Sequence, residues 1–207
     1  MSAKTFFALF LLCLSSTLPL PVMAEEKDDA SAFANDLGHQ ALGIITDTSV
    51  PKQEKRARLE ALFQKNVDID WIGKFVLGRN WRDATEDQQK RYLENYKAFL
   101  IKHYTSNLTE FTDANFQVTK VTPEDTGGNV VTMRMKRPNA EDVIVDYTIR
   151  KKDGDGLKVY DITVEGVSLI TTQRSEFASV VSQKGIDYLI DQLAARSKEE
   201  EKDKSVQ

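Results

Sequence analysis

Residues 61–104 read ALFQKNVDIDWIGKFVLGRNWRDATEDQQKRYLENYKAFLIKHY, and the fold turns on how this stretch is parsed. Asp68 has the short acceptor side chain of an N-cap. Ile69, Ile72 and Val76 follow it at helical spacing, and Gly78 can close that helix with a positive φ. A turn bearing Trp81 comes next. Thr85 and Gln88 then form a T-x-x-Q capping box, which predicts the start of a long helix. Along that helix Tyr92, Tyr96, Phe99 and His103 recur at i, i+4, i+7 and i+11, flanked by Leu93, Leu100 and Tyr104. An aromatic stripe this wide needs a large apolar partner. The expectation is a sheet built by the second half of the chain.

Upstream, residues 29–45 read as a helix whose apolar face holds Ala30, Phe33, Ala34, Leu37, Ala41, Ile44 and Ile45. Pro51 suits the first turn of the next helix, which buries Leu59, Leu62 and Phe63. Downstream the period changes from about 3.6 to 2. Phe116 and Val118 alternate with polar residues, and Gly127-Gly128 turns the chain. Val131, Met133 and Met135 form the next alternation, and Pro138-Asn139 the next turn. Val143, Val145, Tyr147 and Ile149 follow. Asp153-Gly154-Asp155-Gly156 is the clearest hairpin signal. Tyr160, Ile162 and Val164 complete the pattern, with Gly166 read as a bulge before Val167 and Leu169. Two closing helices carry Phe177, Val180 and Val181, then Ile186, Leu189, Ile190 and Leu193, with Gly185 between them.

The predicted fold is therefore α+β: a twisted four-stranded antiparallel meander wrapped by N- and C-terminal helices, an NTF2-like cone. Residues 25–196 form one domain, and the charged run SKEEEKDKSVQ at residues 197–207 reads as a disordered tail. Residues 1–24 read as a cleavable secretory leader: Lys4, an uncharged apolar run, then Val22-Met23-Ala24 before a polar stretch. The competing reading, a retained anchor, needs an apolar run of roughly 20 residues, and this one is shorter. Cleavage also removes Cys13, the single cysteine, which excludes disulfides and cysteine metal sites in what remains.

A formal net charge of −4 gives no reason to expect nucleic acid as a partner. The two histidines, His39 and His103, lack the spacing of a zinc site, and no nucleophile elbow, phosphate loop or dinucleotide fingerprint occurs. Asp146, Asp161 and His103 are the candidates for acid–base work, although both aspartates alternate onto the polar sheet face. Arg134, Lys136 and Arg150 share that face, as a solvated surface or a docking surface. The buried side is rich in apolar groups, and patterning alone does not separate a filled core from a hollow one.

Two segments carry a family resemblance. One is FVLGRNWRDAT at residues 75–85 with Gln88. The other is VYDITVEGVSLI at residues 159–170, followed by Arg174-Ser175-Glu176-Phe177 and Gly185-Ile186-Asp187 with Leu189. Together they resemble the MlaC family, also called the toluene-tolerance or ABC-transporter auxiliary family. Gln173 departs from it, since many members carry an aromatic residue just before the arginine.

The resemblance implies a periplasmic phospholipid carrier, monomeric and non-enzymatic, with lipid as cargo and no cofactor. It implies an apolar cavity between sheet and helices, and a role in outer-membrane lipid asymmetry. The implied partners are an outer-membrane lipoprotein–porin complex and an inner-membrane ABC transporter bearing an MCE-domain ring. On strand and helix phase the expected lipid-lining residues are Phe75, Val76, Trp81, Tyr92, Tyr96, Phe99, Leu100, His103 and Tyr104 from the helices. The sheet contributes Met133, Met135, Val143, Val145, Tyr147, Ile149, Tyr160, Ile162 and Val164. Val167, Leu169 and Phe177 complete the set, with Arg174 as a weak head-group candidate that could equally pair a helix end. Two other readings stay open: an enzyme on a related cone-shaped fold with a hydrophobic substrate, and a docking adaptor with a filled core.

Overall fold

Five helices precede an antiparallel sheet and two helices follow it in the computed structural model, which describes residues 22–105, 115–136 and 141–202. The leading helices are α1 (Val22–Thr46), α2 (Lys52–Asn66), α3 (Ile69–Leu77), α4 (Arg79–Asp83) and α5 (Glu86–Thr105). The strands are β1 (Asn115–Pro123), β2 (Asn129–Lys136), β3 (Val143–Lys152), β4 (Gly156–Val164) and β5 (Val167–Ser168). Helices α6 (Leu169–Lys184) and α7 (Ile186–Lys202) close the chain. The predicted leader lies outside the described residues except for its last three, which open α1. The predicted Pro138-Asn139 turn also lies outside them.

The helix boundaries follow from local chemistry. The Asp68 carboxylate accepts from the Trp71 amide at 3.2 Å and caps α3. Gly78 ends α3 at φ +62°. The predicted tryptophan turn is a single-turn helix, α4. Thr85 and Gln88 bond reciprocally, Gln88 N to Thr85 Oγ1 at 3.2 Å and Thr85 N to Gln88 Oε1 at 3.1 Å, the capping box the sequence predicts. Helix α7 runs on to Lys202, as the helix-forming Ala194, Ala195 and Lys/Glu run favour, and the rest of the predicted charged tail lies outside the described residues.

The strands pair in sequence order, β1-β2-β3-β4-β5, each antiparallel to its neighbour. The predicted four-stranded meander gains a short fifth strand. Glu165 and Gly166, at φ +48° and +80°, form a two-residue hairpin turn where a bulge was expected. The bulges lie elsewhere. One inserts Thr119 in β1. The other inserts Tyr160 in β4, since Thr148 pairs with Asp161 while Ile149 pairs with Val159.

Apolar side chains gather in two separate cores. The helical core joins α3, α5, α6 and α7 through Ile72, Val76, Tyr92, Tyr96, Phe99, Phe177, Leu189 and Leu193. The sheet core sets Ala30 and Ala34 of α1 on Val131, Met133, Ile149 and Val159. The aromatic stripe of α5 is thus covered mainly by α7, with α2 and α3, and not by the sheet, whose inner face α1 occupies. The apolar residues of α7 repeat with helical period, so their ridges can mesh with those of α5. Approach of α1 to β1 is close. A Cβ on Gly38 would lie 2.5 Å from the tip of the Phe116 ring, so a larger residue there would have to displace that ring.

Candidate functional site

The two cores meet along a seam, and the α2–α3 junction ties them together. Val67 forms a parallel bridge with Val159, and the Asp68 amide donates to Val159 O at 3.1 Å. Val67 packs against both cores. Asp68 is 5% exposed, and Lys152 Nζ lies 3.3 Å from its Oδ1, so the buried cap carboxylate has a counter-charge.

Within the seam lies a cavity of about 30 Å³ with an almost wholly apolar wall. Its volume is on the order of one or two water molecules. Phe63, Val67, Ile72, Leu100, Tyr104 and Ile170 face it from the helical side, and Val159 and Ile162 from the sheet side. Leu169, Asp161 and Gln173 complete the wall.

Three polar groups reach this wall, and each is held from behind. The Tyr96 hydroxyl donates to Gln173 Oε1 at 2.8 Å, and Gln173 Nε2 donates to the Tyr104 hydroxyl at 3.3 Å. Burial pushes the Tyr96 phenol up, and also that of Tyr104, where Asp161 and Glu176 add to the effect. Both are therefore protonated at neutral pH. Asp161 Oδ2 accepts from Ser168 Oγ at 2.6 Å. Its Oδ1 accepts from the Ile162 amide at 2.7 Å and the Ile170 amide at 3.3 Å. Asp161 thus anchors the N-terminus of α6, which Ser168 caps, and its lone pairs serve that helix.

Of the residues expected at the site, Leu100, Tyr104, Ile162 and Leu169 line the cavity. Val76, Tyr92, Tyr96, Phe99 and Phe177 are buried in the helical core, and Met133 and Ile149 in the sheet core. Val145 is buried outside either cluster. Tyr147 is half-buried beside its register partner Ile162, and burial pushes its phenol up. Met135, Val143 and Val164 are half-buried at the sheet end where β2 stops and β3 begins. Val167, paired with Val164, is 56% exposed. The inner sheet face thus opens progressively towards that end.

Four placements differ from the sequence reading. The Tyr160 bulge turns that ring away from the seam. It stands edge-on to Trp71 at 5.0 Å with Arg150 over its face at 5.4 Å, and Val159 takes the inward position. His103 is exposed, packed on Phe99 and Tyr104. Phe75 stacks on Trp71 at 5.1 Å under Arg174, and Trp81 packs at the edge of the helical core under Lys74. Arg174 bonds the Phe75 carbonyl in the last turn of α3, the helix-end pairing that the sequence left open beside a head-group role.

The sequence reading missed Val67, Val159, Ile170 and Gln173 as wall residues. The paired alternation across the Tyr160 bulge hid Val159. The break in family pattern at Gln173 was the one available signal for that residue. Among the described residues no cluster of three or more His, Cys, Asp or Glu could hold a metal ion. No described helix is long and apolar enough to cross a membrane.

Fold and site together define a class: a helix-wrapped antiparallel meander with an apolar seam between two cores. Within that class the chain belongs to the MlaC family, whose signature matches residues 36–195. It is 29% identical over 122 residues to the toluene tolerance protein ttg2D of Pseudomonas putida, covering 58% of this chain and 56% of that protein. It is 23% identical over 131 residues to the intermembrane phospholipid transport system binding protein MlaC of Haemophilus influenzae, covering 61% of each. The chain therefore spans less than two thirds of the length of these relatives. A phospholipid-binding protein from Ralstonia solanacearum, solved in complex with a phospholipid, shares the fold with a TM-score of 0.72 and 25% identity. That match covers 83% of this chain and 98% of the other.

Proposed function

We propose that this protein is a periplasmic phospholipid carrier that takes acyl chains into the seam between its two cores. The observation that carries the reading is the seam itself, largely apolar on both walls, with its wall residue Ile162 paired to Tyr147 on the sheet face that opens through half-buried Met135, Val143 and Val164. Moving a 16-carbon tail out of water gains on the order of 12 kcal/mol, so a soluble carrier needs shelter rather than catalysis. At about 30 Å³ the seam must widen to admit a chain. The division into two cores favours such widening, because the wall is a boundary between two packed clusters and not the interior of one. Family kinship and the phospholipid held by the Ralstonia solanacearum protein support the same ligand class.

The carrier acts between membranes. It receives lipid from or delivers it to an outer-membrane lipoprotein–porin complex and an inner-membrane ABC transporter with an MCE-domain ring, and so maintains outer-membrane lipid asymmetry. The leader-like N-terminus supports export. In the enzyme alternative Asp161 is the acid–base candidate at the cavity wall, and its bonds to Ser168 and the Ile170 amide favour a role in holding α6. Native mass spectrometry of protein purified without added lipid tests the reading. Bound masses matching phospholipids are expected, with transfer from labelled vesicles to delipidated protein. A protein that stays lipid-free after vesicle exposure would overturn it.

A further inference from the structure

The polar chain behind the cavity has a direction. Tyr96 donates to the oxygen of the Gln173 amide, and the nitrogen of that amide donates to Tyr104. An amide oxygen only accepts and an amide nitrogen only donates, so every proton in the chain runs from the helical core towards the seam. Gln173 is 8% exposed and Tyr96 fully buried, so the chain is shielded from water over most of its length. Tyr104 ends it. Its oxygen accepts from Gln173, and its own proton has no acceptor among the described residues. The neighbouring Asp161 takes its bonds from Ser168 Oγ and two backbone amides, and none from Tyr104. The Tyr104 ring is fixed between Phe63, stacked at 6.4 Å, and His103, edge-on at 5.0 Å. An apolar cavity is thus given one oriented hydroxyl donor, and a half-buried donor left without a partner is costly.

We propose that Tyr104 donates its hydroxyl proton to the ester carbonyl of a glycerolipid acyl chain, with Gln173 as the residue that orients it. The inference rests on the carrier reading above and adds a selectivity to it. The Asp161 carboxylate in the same wall disfavours a second anion, so the acceptor is a neutral carbonyl and not the carboxylate of a free fatty acid. An ether-linked lipid of the same length offers the same chains without the carbonyl. One hydrogen bond in this setting corresponds to about a three- to tenfold preference.

The test is a competition on delipidated full chain with vesicles holding equal amounts of dipalmitoyl phosphatidylethanolamine and its dihexadecyl ether analogue. Native mass spectrometry reads the ratio of the two bound lipids. Wild type is expected to favour the ester about three- to tenfold, and Tyr104→Phe to bring the ratio near one. Gln173→Leu, which removes the orienting amide and leaves the Tyr104 hydroxyl in place, is expected to fall between them. It decides the matter if the tyrosine variant does not fold. Infrared spectra of bound lipid with a labelled ester carbonyl should show a hydrogen-bonded band in wild type that Tyr104→Phe lacks. Equal uptake of the two lipids by wild type, or an unchanged ratio in both variants, would overturn the ester assignment and leave the carrier reading standing. Uptake of neither lipid would overturn both.

Discussion

Arg174 and Phe75 are joined twice: Nη1 of Arg174 donates to the Phe75 backbone oxygen at 2.9 Å, and the guanidinium lies 4.7 Å over the Phe75 ring. Phe75 O belongs to the last turn of α3, where carbonyls lack helical partners. The arginine therefore clamps α6 to the end of α3. Arg174→Ala is expected to lower unfolding free energy by about 1–2 kcal/mol. Arg174→Lys should recover only part of it, because an ammonium neither stacks nor forks. Lipid content of the folded variants should match wild type. A selective loss of lipid without loss of stability would return Arg174 to the head-group role.

Gly78 sits beneath that clamp. At φ +62° and ψ −130° its backbone is open to glycine alone, and a Cβ would lie 3.1 Å from Nη2 of Arg174. Gly78→Ala should cost about 1–3 kcal/mol. In the Arg174→Ala background the steric part disappears and the backbone part stays. Urea midpoints of the two single variants and the double variant measure the split. Additive losses would mean that the side chains do not compete.

Alkaline pH should weaken the fold through its buried phenols. Burial raises Tyr92 and Tyr96 well above their ordinary value of about 10. Below that value both states are protonated and the stabilisation is complete. Above it the unfolded chain has released protons the native state still holds, so stability falls as pH rises, by up to about 1.4 kcal/mol per pH unit per tyrosine. Denaturant midpoints from pH 8 to 11.5 should be flat and then decline. Tyr92→Phe, which also gives up a 3.0 Å bond to Gly73 O, should soften the decline.

Filling the seam should exclude cargo. Leu169 is half-buried at the cavity wall, on the first turn of α6. Leu169→Trp adds bulk there while keeping the surface apolar. Because the site is partly open, the overpacking cost should stay near the lower end of about 1–3 kcal/mol. Phospholipid recovered per protein should fall several-fold with the near-ultraviolet circular dichroism preserved. Wild-type lipid content in this variant would show that acyl chains lie elsewhere.

Much of the local structure was legible in the sequence because it is set by neighbours in the chain. The Thr85–Gln88 box, the Asp68 cap and the Gly78 stop each depend on residues at most four apart, and all three form. The alternation of β2 and β3 likewise fixed which side chains face inward, and Val131, Met133, Val145 and Ile149 are buried. At the site the reading was weaker. Helix and strand phase puts Leu100, Tyr104, Ile162 and Leu169 where the cavity wall lies, whereas the inward position expected for Tyr160 goes to Val159, because a bulge is a property of two paired strands.

The sequence by itself determined the helical segments, the strand order and the family, since periodicity, caps and turn residues act over a few positions. Tertiary structure alone decided that α7 covers the aromatic face of α5 while α1 takes the sheet. Both partners are apolar and amphipathic, so composition does not choose between them. The choice is made by which ridges mesh once the whole chain is assembled. The same assembly creates the seam and brings Gln173 between Tyr96 and Tyr104, residues that lie about 70 or more positions away in the chain.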